Sequence, residues 1–348
     1  MKYTFEVIAL HNILWEEMSL CYDHTVFKSK NWSNFLKEFY KVDPFVVSVS
    51  EKDRVIGYFY GQKIKKFGIQ IVASPFEGWS TSFQGLSMLK EISVNQRLDV
   101  YEELIPWLFE NKHCSYFQVL DWQLEVAECL HRNFTIELTK GYVLDLTKEK
   151  EELYKNMSYS SVRYSINKSQ KKGVEVKEIC DINEYVQEYY QQLEEVFNRQ
   201  GLKPTYSKEQ TAVMLKNTLS ENMLALYAVN SEGQSLGSAF FPYAGNYGFF
   251  SGGASYQSSQ SLCPNEPIMW NAIERLKDKG VKYMEFGGGR RYKEKYGPSP
   301  YVKPKIIAAK YKWLIPAKSF AQSSFYGVRK IKALLKGKKV NNGINAGI

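Results

Sequence analysis

Three runs in the first quarter of the chain carry apolar residues with the spacing and length of strands: "PFVVSVS" (44–50), "VIGYFYGQ" (55–62) and "IQIVAS" (69–74). Polar turns, "EKDR" and "KKFG", separate them. The arrangement returns in "LALYAVN" (224–230), "SLGSAFFPYA" (235–244) and "YGFFSGGAS" (247–255), with turns "SEGQ" and "GN". Each set predicts a three-stranded antiparallel meander. A helix and then a strand follow each one, in "DVYEELIPWLFENKHCSYFQVLDW" and in "NEPIMWNAIERLKDKGVKYMEFGG". Before each meander stand a strand-like start, "KYTFEVIAL" or "GVEVKEI", and helical segments. In the second copy Val186, Tyr190, Leu193 and Phe197 recur at helical spacing on one face.

A self-similar unit of this length predicts tandem domains. The order strand, helices, antiparallel meander, helix, strand resembles an N-acyltransferase (GNAT-like) domain. The fold expected is therefore α/β (α+β with mixed sheets), with two tandem GNAT-like acyltransferase domains. Their bounds are 1–147 and 148–318, followed by a basic amphipathic C-terminal helix in 319–348. Chance rhyme between α+β elements is the alternative, and the number of elements agreeing in order argues against it.

Composition narrows the chemistry. The 348 residues suffice for two cores. Aromatic residues make up 15%, enough to line a groove as well as a core. The net charge of +9 points toward an anionic partner. Cys21, Cys114, Cys129, Cys180 and Cys263 lie far apart with no C-x-x-C spacing, so neither a metal site nor a disulfide framework is expected, and a reducing cytoplasm is favoured. The N-terminus lacks a small-residue cleavage site, and no run of about 18 apolar residues predicts a membrane span.

One stretch concentrates candidate chemistry: "EFGGGRRYKEKYGP" (285–298). Arg290, Arg291 and Tyr292 stand where dinucleotide and P-loop patterns need glycine or hydroxyl, so neither pattern is met. The stretch is instead similar to a strand–glycine–glycine segment followed by aromatic–lysine–x–x–aromatic–glycine, which closes the second domain of the FemAB-like (Fem-type aminoacyltransferase-related) GNAT acyltransferases. Tyr292, Lys293, Tyr296 and Gly297 fall on that motif. "YVLDLTKEKEELYKNMSYSSVRYSINKSQKKGVEVKEI" resembles the arginine-centred helix that opens the family's second domain, on Arg163, Ile166, Lys168, Lys171 and Gly173. "TVFKSKNW" resembles its Phe-x-x-x-x-Trp entry motif, on Phe27 and Trp32. The chain departs from the family at "SPFEGW", which lacks the basic–glycine–proline segment, and it has no long charged hairpin in the second copy.

The resemblance implies an acyltransferase that moves an acyl or aminoacyl group onto an amine of a cell-envelope or polysaccharide precursor. Its active site is expected in the cleft between the domains, mainly on the second. Lys293 is the catalytic candidate, as a fixed cation beside the tetrahedral oxyanion; a solvated lysine in a basic loop is the plain alternative. An extended segment would turn Lys295 away from it. Substrate-binding candidates are Arg163, Arg290 and Arg291 for phosphate or carboxylate, Gly287, Gly288 and Gly289 for close backbone approach, and Tyr292 and Tyr296. No metal is expected. His11, His24, His113 and His131 all lie in the first half, so no catalytic triad is legible; Glu285, Glu266 and Asp121 are candidate proton acceptors.

No permanently bound cofactor is expected, and the donor is acyl-CoA or aminoacyl-tRNA. The loop "SLCPNEP", where ordinary GNAT domains cradle the coenzyme A pyrophosphate, has no glycine; Asn265 is expected to cap the next helix, with Pro267 in its first turn. The partners implied are a phosphate-bearing envelope precursor, tRNA, and an anionic membrane met by the tail. In the tail Phe325, Val328, Ile331 and Leu335 share a helical face opposite Arg329, Lys330, Lys332, Lys336, Lys338 and Lys339. The expected location is the cytoplasm, at the inner face of the membrane. Aminoacyl-tRNA-dependent peptidoglycan-bridge synthesis is the alternative within enzymes. A non-catalytic protein binding nucleic acid or membrane is the alternative of another class.

Overall fold

The computed structural model describes residues 2–318 except Asn133, and the chain divides into two compact units. Among the described residues the first holds 2–140 and 302–318, and the second holds Gly141–Tyr301. The step from one unit to the other thus falls at Gly141 where the sequence placed it at 148, and the return at Val302 where the sequence ran the second copy to 318. The proposed tail helix in 319–348 lies outside the described residues.

The first unit begins with β1 (Tyr3–Val7), α1 (Trp15–Ser19), α2 (Lys30–Tyr40), β2 (Pro44–Glu51), β3 (Arg54–Lys66) and β4 (Ile69–Ser74). There follow β5 (Gly85–Met88), α3 (Val94–Asn111), β6 (Tyr116–Val119), α4 (Val126–His131) and the start of β7 (Thr135–Asp145). Antiparallel pairing runs β1–β2–β3–β4, as the alternating and apolar runs require. β6 then lies parallel to β4, and β5 adds to the inner half of β3. Helix α3 starts with a capping box, in which Ser93 accepts from the Gln96 N–H and the Gln96 side chain accepts from the Ser93 N–H. It buries Leu98, Tyr101, Leu104 and Leu108 against Val47, Phe59 and Phe117. The Phe-x-x-x-x-Trp motif is core: Phe27 and Trp32 are wholly buried with rings 4.8 Å apart, edge to face.

The second unit contains α5 (Lys150–Asn156), a π-helical turn at Tyr159–Arg163, α6 (Tyr164–Lys171), β8 (Glu175–Glu178), α7 (Ile182–Arg199) and α8 (Lys208–Thr218). β9 (Met223–Val229), β10 (Ser235–Ala244), β11 (Tyr247–Phe249), β12 (Gly252–Ser255), α9 (Asn265–Asp278), β13 (Tyr283–Glu285) and a 3-10 turn at Arg291–Tyr296 complete it. β14 (Ser299–Ala309) then carries the chain back to the first unit, where it pairs antiparallel with β6. The sheet order is β7–β13–β11–β10–β9–β8, with β11 and β13 parallel. Both units are mixed α/β, as expected. The predicted strand 247–255 is two strands: it breaks at Phe250 and Ser251, and β12 continues along β10. On α7 the core face is Tyr185, Val186, Tyr189, Gln192 and Leu193; Tyr190 and Phe197 are half-buried at its margin. No helix among the described residues is long and apolar enough to cross a membrane.

Candidate active site

The chain parts from its neighbouring strand between β11 and β12 in the second unit. β11 and β13 run paired as far as Phe249 and Glu285, and the Phe250 N–H donates to the Glu285 carbonyl at 2.8 Å. Beyond that point β12 hydrogen-bonds to β10 alone, while the other strand enters the glycine run. Gly252 and Gly253 thus stand on one arm, and Gly287, Gly288 and Gly289 on the other. Gly287 and Gly288 have φ of +64° and +46°, and Gly289 stays outside that region, so two of the three glycines meet a backbone requirement. The pair on the first arm went unread in the sequence, where "SGGAS" looks like uninterrupted strand.

The segment after the glycines is a 3-10 turn and not an extended run, and Lys293 is buried within it. Lys293 is 6% exposed. Its Nζ donates to the carbonyl of Phe286 at 2.6 Å and to that of Gly287, with Gly288 O farther off at 3.5 Å. An ammonium has three N–H donors; two are held firmly and the third is the weakly engaged one. Burial pulls the Lys293 pKa down to about 8, Glu285 opposing this and Arg290 reinforcing it. Lys295 leaves the turn in another direction and pairs with Glu266 at 2.6 Å.

Glu285 is the residue whose role the sequence left open. It is 3% exposed, so it is neither a surface nor a capping carboxylate. One oxygen accepts from the Tyr301 hydroxyl at 2.5 Å and from the Gly287 N–H at 2.7 Å. Burial raises its pKa, against the Tyr301 and Gly287 bonds and the charge of Lys293. The carboxylate thereby pins the Gly287 N–H while Lys293 pins the carbonyls of the two peptides that flank the Gly287 Cα. The turn is held from both faces.

Arg163 is brought to this region from far along the sequence. The Ser158 N–H donates to the Lys295 carbonyl at 2.8 Å, and a Cβ on Gly297 (φ +80°) would stand 3.0 Å from the Asn156 carbonyl oxygen. The π-helical turn and the 3-10 turn are therefore locked together, a helical irregularity common at functional sites. The Arg163 guanidinium lies 5.1 Å from the Tyr159 ring, and its buried Nε has no hydrogen-bond partner. Arg290 and Arg291 are exposed, and among the described residues neither forms an ion pair. Tyr292 is 52% exposed with its ring 5.8 Å from Lys293 Nζ. Tyr296 differs from expectation: it is 4% exposed and stacks on Phe286 at 5.9 Å, because the 3-10 turn directs it into the core.

At α9 the cap is Pro264, and Asn265 is the first helical residue, its side chain donating to Ser255 Oγ at 3.1 Å. Glu266 occupies the first turn, where it complements the helix dipole and takes Lys295. The start of α9 thus carries an anion of the chain's own, paired with Lys295. Among the described residues no group of three His, Cys, Asp or Glu is placed to hold a metal ion.

The first unit has a similar strand arrangement, with β5 and β4 both on β3 and β4 parallel to β6. Its β5 backbone is saturated by side chains: the Leu86 N–H donates to Asp121 Oδ2 and the Tyr101 hydroxyl oxygen, both at 3.2 Å, and its carbonyl accepts from Lys28 at 2.9 Å and Arg97 at 3.3 Å. Arg97, 1% exposed, bonds Asp121 at 2.8 Å and also Asp23. Burial pushes the Asp23 carboxyl up, and Lys28 and Arg97 outweigh it to hold it below its usual range. Asp121 is thus committed to a closed network and is withdrawn as a proton acceptor for an amine.

Residues 159–296 match the family model described as an acetyltransferase (GNAT) domain. No protein of curated function matches the chain in sequence. Among solved structures the chain is similar to FemX, with TM-score 0.71 and 10% identity over 90% of this chain and 99% of that one. It is also similar to a conserved protein of unknown function from Bacteroides thetaiotaomicron, with TM-score 0.58 and 12% identity over 88% and 98% of the two chains. L-PGS from Bacillus licheniformis gives TM-score 0.52 and 13% identity over 86% and 96%. At these identities the likeness to solved structures is one of fold. Residues 159–296 match a GNAT acetyltransferase domain, and the chain has a fold like that of FemX.

Proposed function

We propose that the chain transfers an acyl or aminoacyl group to an amine of a phosphate-bearing cell-envelope precursor, with the reaction centred on Lys293 in the second unit. The observation that carries this is a buried ammonium held by two strong carbonyl contacts beside two positive-φ glycines, within the matched domain. In the reaction the acceptor nitrogen attacks the acyl carbonyl carbon, and the oxygen takes up negative charge that the Lys293 ammonium stabilises. The C–N bond stays, the bond to the donor's oxygen or sulfur breaks, and the leaving group takes the proton that the amine gives up. Glu285 acts as a positioning residue for the glycine turn. Arg163, with its unpartnered Nε, and the exposed Arg290 and Arg291 supply contacts for phosphate on the acceptor or donor. This reading places the enzyme in the cytoplasm at the inner face of the membrane.

A second reading concerns the donor, and Glu266 at the start of α9 favours it: a carboxylate in the first helical turn repels a pyrophosphate. The donor is then aminoacyl-tRNA, or a thioester held elsewhere. Titration with acetyl-CoA should show weak or no binding. Binding of charged tRNA should fall by on the order of 10³ between 50 and 200 mM salt. Sub-micromolar coenzyme A binding with the pyrophosphate at the start of α9 would remove the donor reading and leave the acyl-transfer reading in place.

A further inference from the structure

We propose that one end of the first unit is a docking face for an anionic lipid bilayer, independently of the chemistry in the second unit. The β3–β4 hairpin turns on two residues, Phe67 and Gly68, between the paired Lys66 and Ile69. Both have positive φ, +50° and +80°. Two-residue turns with that geometry favour Asn, Asp or Gly at the first position. Phenylalanine stands there against that preference, in a backbone region unfavourable to bulky residues. Its side chain does not repay this by packing, since it is 92% exposed. Exposed Lys65 and Lys66 precede it, with Lys66 Nζ 5.8 Å from the ring.

A second turn of like composition lies beside this one. After β14 the chain reads Lys310, Tyr311, Lys312, Trp313, and all four are exposed, Tyr311 by 52% and Trp313 by 61%. The next residue, Leu314, is buried with Tyr116 and Ile307, and Ile69 and Ile71 of the hairpin pack on the same cluster. Backbone bonds join the pieces as well: Ser115 N–H to Gln70 O at 2.8 Å, and Lys310 N–H to Ser115 O at 3.0 Å. The end of α3 belongs to the same patch, since Lys63 Nζ reaches the Lys112 carbonyl at 2.9 Å. Among the described residues Lys65, Lys66, Lys112, Lys310 and Lys312 form no ion pair, although Glu110 stands on the last turn of α3.

Rings at the tips of two turns, set among unpaired lysines, match the headgroup region of a membrane, where aromatic residues and lysine collect. Each lysine near an anionic surface adds about a fivefold gain in binding. Single-stranded nucleic acid asks for rings along a basic groove, and turn tips are a poorer fit to that.

The test uses the full-length chain and vesicles of phosphatidylglycerol with phosphatidylcholine, against phosphatidylcholine alone. The wild type should sediment with the anionic vesicles only. Phe67→Ser with Trp313→Ser should weaken binding by at least about tenfold, and Lys65→Gln with Lys66→Gln by about 25-fold, with melting temperature and transfer activity on a soluble acceptor unchanged. The same losses should appear in a chain lacking residues 319–348. Vesicle binding that ignores both double variants, binding that vanishes with the tail alone, or an effect of the variants on RNA binding and not on vesicles would each overturn the proposal.

Discussion

Lys293→Met is expected to lower kcat by about 10² to 10³, the loss typical when one donor to a developing oxyanion is removed. Methionine keeps the length and apolar bulk of the buried stem but offers nothing to the carbonyls of Phe286 and Gly287. Part of the effect will therefore be a looser glycine turn, visible as a rise in KM, and the pH profile separates the two contributions. With its pKa lowered to about 8, Lys293 is mostly ammonium at pH 7 and loses that charge as pH rises through about 8. Wild-type kcat should fall above that point, and the residual rate of the variant should lack the falling limb. A rate that climbs across the same interval would make the free amine the working form. Lys295→Met breaks a partly exposed pair with Glu266 and should change kcat by less than about fivefold. Near-equal effects of the two substitutions, expressed mainly in KM, would identify a basic patch and not a catalytic lysine.

Arg97→Met should destabilise the first unit by about 3 to 5 kcal/mol, the range for a buried charge stripped of its partner. The substitution leaves Asp121 and Asp23 buried, with Lys28 Nζ 3.9 Å from Asp23 the nearest remaining cation. The sign of the pH dependence follows from the carboxylates. In the wild type Asp23 titrates below its usual range, so its contribution is present above the unfolded-state value and is lost as pH falls through the folded one. In the variant Asp23 keeps Lys28 but loses Arg97, so its pKa rises, and protonation relieves part of the cost of the buried charge. The gap between the two proteins in denaturant midpoint should therefore narrow from pH 7 toward pH 5. A variant within about 1 kcal/mol of wild type at pH 7 would show the network to be dispensable.

The meanders were legible because their strands carry long apolar runs between polar turns. β5 was not: "GLSM" is four buried residues with no alternation to read. β14 starts "SPYVKPK", and its place beside β6 depends on a pairing that no local pattern encodes. For the same reason the first unit's discontinuous boundary could not be read from the repeat. At the candidate site, the motif drew attention to Lys293, Arg163 and the glycines, but four basic residues in a stretch of fourteen read as readily as a solvated loop. The 3-10 turn that buries Lys293 and Tyr296 arises from long-range contacts, those of Phe286 with Tyr296 and of Ser158 with Lys295. Glu285 was visible only as one carboxylate among several until its burial and its bonds to Tyr301 and Gly287 set it apart.

The central claim is acyl transfer centred on Lys293, and mass spectrometry of the amine-bearing envelope precursor pool tests it most directly. Pools from cells making the wild type should carry an acyl or aminoacyl mass increment that is absent without the protein and nearly absent with Lys293→Met. Pools indistinguishable with and without the wild type, or an increment undiminished by Lys293→Met, would contradict the account.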